Sequence, residues 1–241
     1  MMLKKIVWIC LLAMLSMTAV PVGRADVVVG GNAVIAYDAA ELFGTTGLTP
    51  VWLYDASNGA KTATQAEILA PFAGGGAPLG PAATYSLNHE IILGSVTNPS
   101  GRSRQLTTAD INPNSPIASW SAGEQIGIDG ITVFTVGGGG LVTGDFSLTY
   151  SSTLNRLSLF NNFQIPVEAF RVNAPTFQTN ANGFTIEGDL LTGSFFPFNG
   201  IAADQKVGSF TLNVLTAVPE PSSIVLLGLS AMSGLLIRRR R

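Results

Sequence analysis

Asp145-Phe146-Ser147-Leu148-Thr149-Tyr150 alternates apolar and polar residues without a break. A strand turns successive side chains to opposite faces, so Phe146, Leu148 and Tyr150 share one face and Ser147 and Thr149 the other. That is the pattern of a half-buried strand. Ser151-Ser152-Thr153 supplies a turn, and Leu154 to Phe160 is the hairpin partner expected across it. Upstream, Ile126 and Ile128 alternate with Gly127 and Asp129, and Ile131 to Val136 follows across Gly130. Downstream, Val167 to Val172 and Thr176 to Gln178 are weaker strands. Phe184 and Ile186 alternate with Thr185 and Glu187. Ser194 to Phe198 is expected at a sheet edge, because Pro197 cannot donate to a ladder. Phe210, Leu212 and Val214 mark the core face of a final strand, Ser209 to Leu215.

The first half carries a weaker signal. Asp26 to Tyr37 is two β-branched runs around Gly30-Gly31, a hairpin candidate. Asp38 to Pro50 has turn or single-turn helix character, and Val51 to Tyr54 is a short strand. Thr64-Gln65-Ala66-Glu67 is a capping box for one helix ending at Pro71. Glu90 to Val96 is expected as a buried strand, and residues 97–119 as a long irregular connection. Short strands at close spacing, Gly, Pro and Asn turns and little helix give an all-β body, a β-sandwich or jelly-roll-like domain. No repeat at a fixed period points to a solenoid or propeller.

Both ends of the 241 residues stand apart from this pattern. Lys4 and Lys5 precede an apolar stretch from Ile6 to about Val20, and Gly23-Arg24-Ala25 offers small residues before a cut. Residues 1–25 therefore read as a signal peptide, a helix cleaved after Ala25. At the other end, Val218-Pro219-Glu220-Pro221-Ser222 is a stiff polar motif whose prolines hold the chain extended around Glu220. An apolar run to Ile237 follows, then Arg238, Arg239, Arg240 and Arg241. Residues 222–237 would span about 24 Å as a helix, short of a hydrocarbon core of about 30 Å. Arginine snorkelling offsets part of the difference. The positive-inside rule leaves both basic ends in the cytoplasm and the body, residues 26–217, outside.

The tripartite tail, residues 218–241, resembles the PEP-CTERM sorting signal of exopolysaccharide-producing Gram-negative bacteria. The resemblance implies an exosortase-type membrane enzyme as partner. It implies that Val218 to Ser222 is that enzyme's processing site, with Arg238 to Arg241 as a membrane stop. It implies no catalytic role for this chain. Residues 144–150 also resemble body segments of other such exported proteins, again without implying an activity.

The body holds six basic and fourteen acidic residues, a net charge of −8 against −2 for the whole chain. Its cations are scattered, which argues against nucleic acid as a partner. The single cysteine, Cys10, lies in the leader, so the body has no disulfide; at about 190 residues it buries enough surface to fold without one.

Candidate chemistry is sparse. His89 is the sole histidine. No HExxH motif or GxSxG elbow accompanies it, so it reads as structural or surface. Zinc bound through Cys and His is excluded for the body. Gly137 to Gly140 leads into a strand and not a helix, so it reads as a hairpin connection and not a phosphate loop. Glu124/Asp129 and Glu187/Asp189 are the nearest carboxylate pairs, and the latter share a face at i and i+2. Asp55 to Gly59 partly matches a calcium loop but lacks the spaced second carboxylate. Trp52, Tyr54, Trp120 and Tyr150 are candidates for a sugar-stacking face. The sequence thus predicts an exported, non-catalytic all-β protein without a cofactor, using the secretion machinery and an exosortase. It would be held transiently at the inner membrane and then delivered to the cell surface or extracellular matrix. A carbohydrate-binding module, calcium-dependent or not, with extracellular polysaccharide as partner, is the alternative, followed by a two-carboxylate glycoside hydrolase.

Overall fold

A computed structural model of the chain describes residues 26–57, 61–73, 79, 83–112, 116–136, 139–180 and 182–217. The expected signal helix with Ala25, the sorting motif, the transmembrane helix and the terminal arginines lie outside the described residues. Among the described residues, no helix is long and apolar enough to cross a membrane.

Among the described residues the fold is built mainly of β-strands, as the alternating runs require. The strands are β1 (Asp26–Asp38), β2 (Thr49–Tyr54), β3 (Thr84–Glu90), β4 (Asp110–Ile111), β5 (Ile126–Val136), β6 (Gly139–Ser151), β7 (Arg156–Asn161), β8 (Val167–Asn180), β9 (Gly183–Thr192) and β10 (Lys206–Thr216). Among the described residues three short helices, α1 (Ala39–Thr46), α2 (Gln65–Ala73) and α3 (Pro116–Ser119), join them. The strands do not form the two stacked sheets of a sandwich. They form one antiparallel sheet in the order β2-β5-β6-β7-β8-β9-β10-β1-β3, with β4 on the start of β1. A sheet this wide curls, and here its ends nearly meet. Ile91 bridges Ile128, Ile92 N–H donates to Gly127 O (2.8 Å), and Ala56 N–H donates to Asn88 O (3.1 Å). This irregular seam pairs edges that would otherwise be open to another chain.

The inner face is a continuous aromatic core. Phe170 touches Tyr37, Phe146 and Phe196, and Tyr37 also touches Phe134, with ring centroids 5.2–6.1 Å apart. Phe146, Leu148, Phe210, Leu212 and Val214 point inward as the alternation predicts. Burying each such side chain contributes about 1.5–3 kcal/mol. A smaller cluster of Val51, Ile68, Ile131, Val133 and Phe163 packs α2 against the outer face of β5.

Four local expectations are corrected. Gly30-Gly31 is no turn: β1 runs through it, and a Cβ at Gly31 would lie 2.1 Å from Asn213 O, so the glycine permits close approach to β10. Residues 39–46 form a full helix, with Asp38 as N-cap and Gly47 as a left-handed C-cap. The strand expected at Glu90–Val96 lies earlier, because Leu87 and His89 are the inward residues. Phe196–Asn199 is a 3-10 turn and not an edge strand; Pro197 fits its start, and Phe196 plugs the core.

Candidate functional site

Helix α2 begins at the expected capping box. Thr64 N–H donates to Glu67 Oε2 (2.7 Å) and Glu67 N–H to Thr64 Oγ1 (3.3 Å). Pro71 lies inside the helix and cannot bond the Glu67 carbonyl; the Tyr54 hydroxyl donates to that oxygen instead (3.4 Å). This helix and residues 92–109 cover the outer face of β5 and β6, where Arg102, Arg104, Asp129 and Asp145 form a buried tetrad of charges.

That cluster is built on a bulge. The register between β5 and β6 shifts between Ile128 and Ile131, so Asp129 and Gly130 oppose Asp145, whose φ is +48°. Both carboxylates turn to the outer side and are covered by Arg102 and Arg104. Arg102 Nε donates to Asp145 Oδ2 (3.0 Å), its Nη2 pairs with Asp145 Oδ1 and reaches Asp129 Oδ1 (3.3 Å), and its Nη1 donates to Ala63 O (3.1 Å). Arg104 Nη2 donates to Asp129 Oδ2 (2.9 Å). Asn162 holds Asp145 O (2.8 Å), and Asn161 Oδ1 accepts from Gly144 N–H (2.8 Å). Burial raises the Asp145 carboxyl above the usual range; Arg102 opposes that and the Asp129 charge adds to it. Every carboxylate oxygen of the tetrad is engaged, so its chemistry is that of a tie between the 92–109 segment and the sheet.

His89 lies on the inner side of the same bulge. It is fully buried, 6.2 Å from the Phe146 ring, and neither ring nitrogen makes a hydrogen bond with good geometry. Burial lowers its pKa to about 4; the nearby Asp129 backbone and the Asp55 charge oppose this. Gly130, with φ +136°, is there because a Cβ would sit 1.7 Å from His89 Nδ1.

The other sequence candidates separate. Asp55 Oδ1 accepts from Ser57 N–H (2.8 Å) and Oγ (2.5 Å), while Oδ2 accepts from Asn88 N–H (3.3 Å); it closes a turn at the seam. Among the described residues, no group of three or more His, Cys, Asp or Glu side chains is placed to hold a metal. Glu124 caps Ser121 N–H (2.9 Å), apart from Asp129 in its tetrad. Glu187 and Asp189 are exposed on the outer face of β9, and Asp189 pairs with Lys206 (3.2 Å). The four aromatics form two pairs: Trp120 is buried against Tyr150 (6.4 Å), while Trp52 is 47% exposed beside Tyr54 (6.1 Å) on β2. A cleft of about 330 Å³ beside Arg104 and Asp129 is walled by Ile91 and Ile92 and rimmed by Lys61, Glu90 and Thr97.

The tetrad escaped the sequence reading. Its one signal was Arg102-Ser103-Arg104, two of only six cations in the body, set in an otherwise polar connection.

The exit of the tail is the remaining feature. Thr216 pairs with Val28 and donates to Asn182 O (2.9 Å), and Ala217 N–H donates to Val27 O (3.0 Å). The chain is hydrogen-bonded to the sheet up to the residue before Val218. Residues 217–241 match the family model described as the PEP-CTERM protein-sorting motif. No curated protein and no solved structure matched the chain.

Proposed function

We propose that this chain, a PEP-CTERM sorting-signal protein, delivers a non-catalytic β body to the cell surface or extracellular matrix. The motif implies export and an exosortase-type enzyme as processing partner. In this reading residues 1–25 are removed by the secretion machinery after Ala25. The apolar run after Ser222, stopped by Arg238 to Arg241, holds the protein at the inner membrane. The enzyme then acts on the extended Val218-Pro219-Glu220-Pro221-Ser222 segment. One observation carries the reading: the motif follows directly in sequence on Ala217, which is still hydrogen-bonded to Val27 of β1, so no spacer residues separate the folded body from the motif. The non-catalytic part rests on the engaged carboxylates of Asp129 and Asp145 and the enclosed His89. Replacing Glu220 by Ala in a host that has the enzyme is expected to leave the protein in the membrane fraction. Normal release of that variant would contradict the reading.

A second reading, binding of an extracellular polysaccharide, is favoured by the exposed Trp52 beside Tyr54, since a solvent-facing aromatic pair is a platform for a sugar ring. A glycan array of wild type and Trp52→Ala tests it: binding lost in the variant supports it, and no binding by the wild type rejects it.

A further inference from the structure

We infer that the end of the body from which the tail emerges rests on the lipid surface while the tail is embedded, through an apolar contact made by Val27, Val29 and Leu215. This rests on the membrane-held stage proposed above. Val27, Val29 and Leu215 are 62%, 50% and 48% exposed, and they lie together where β1 begins and β10 ends. The bulge between Val28 and Gly30 creates the patch. It resets the alternation so that Val28 and Ala33 both face the core, and it leaves Val27 and Val29 outside, next to Leu215. Farther along the same strands the outer face is polar: Asn32, Asn213 and Thr185 hydrogen-bond across β1, β10 and β9. An apolar group confined to one end of a polar sheet face calls for a partner.

The length of chain beyond Ala217 says what that partner is. Six residues, 218–223, separate Ala217 from Ile224 in the apolar run. Fully extended they reach about 22 Å, whereas the 13 residues of β1 alone run about 43 Å. The exit end is therefore within reach of the bilayer face and the opposite end is not. The body is acidic, and the one charged neighbour paired with Val27 is Asp110, so the contact is one of apolar insertion and not of attraction to anionic headgroups.

The test uses the leader-free form, residues 26–241, which holds no cysteine, reconstituted into lipid nanodiscs carrying headgroup-spin-labelled lipid. A fluorophore is placed at Asn182→Cys at the exit end or at Ser209→Cys toward the opposite end. The inference expects quenching at least threefold stronger at 182 than at 209, unchanged when phosphatidylglycerol is left out. With 15 Gly/Ser residues inserted after Ala217, a docked body keeps that contrast, and adding Val27→Asp with Leu215→Asp abolishes it. Equal quenching at the two positions, or a contrast lost on lengthening the linker alone, overturns the docking and leaves the anchored stage standing. A chain that never enters the disc overturns the anchored stage and the docking with it.

Discussion

At the scale of single residues the most telling position is His89. It occupies an inward position on β3 without a hydrogen bond of good geometry, and burial holds its pKa at about 4 against about 6.5 in an unfolded chain. Between those values the unfolded state binds a proton that the folded state refuses. Stability is therefore full above about pH 6.5 and is lost as pH falls toward 4, by roughly 3 kcal/mol in all. Glu168, held low by Arg171, Ser158 and Arg156 against the effect of burial, adds a further loss below the ordinary carboxylate range. Denaturant midpoints measured from pH 7 to 4 should fall in the wild type and stay nearly level to pH 4.5 in His89→Leu; an unchanged slope in the variant would contradict this assignment. Gly130→Ala should cost more than about 2 kcal/mol, because strain at positive φ adds to the collision with His89, and Gly130→Ala/His89→Ala should recover part of the loss. Arg102→Ala should cost about 3–5 kcal/mol by leaving Asp145 buried without its partner.

Among the elements, helix α1 and the 3-10 turn each depend on a few groups. Asp38→Ala removes the oxygen that accepts from Ala40 and Glu41 N–H (both 2.9 Å) and should cost about 1 kcal/mol, read from thermal or denaturant unfolding. Phe196→Ala opens the plug against Phe170 and should cost about 3–5 kcal/mol by the same measurement. Legibility also divides at this scale. Strands β5 to β7, β9 and β10 were readable because period-two alternation with large apolar residues survives in each. The β1 strand was misread because Gly30-Gly31 carries the signature of a turn, and only the neighbouring β10 backbone shows why glycine is needed there. The β3 strand was misplaced because its inward residue at 89 is a histidine. The tetrad could not be read because it joins Arg102 to Asp145 across 43 residues, and no local period encodes such a pairing.

For the whole molecule, an all-β class followed from composition and turns, while closure into one curled sheet did not. Closure depends on the β1–β10 pairing of residues near the two ends of the body, and on a seam of isolated hydrogen bonds. That pairing also fixes how the tail is presented. Val218 follows directly on a residue bonded to Val27, so a processing enzyme must meet the motif flush against the folded body or wait for the last rung to open. Inserting 15 Gly/Ser residues after Ala217 should therefore speed conversion of the membrane-bound form in a pulse-chase experiment; a slower or equal rate would show that the short spacing is no obstacle. The central claim, that the tail is a temporary handle, is tested most directly by intact mass spectrometry of the mature protein from a host containing the processing enzyme. The account predicts a mass that begins at Asp26 and lacks Arg238 to Arg241. A mature protein that retains all four arginines would contradict it.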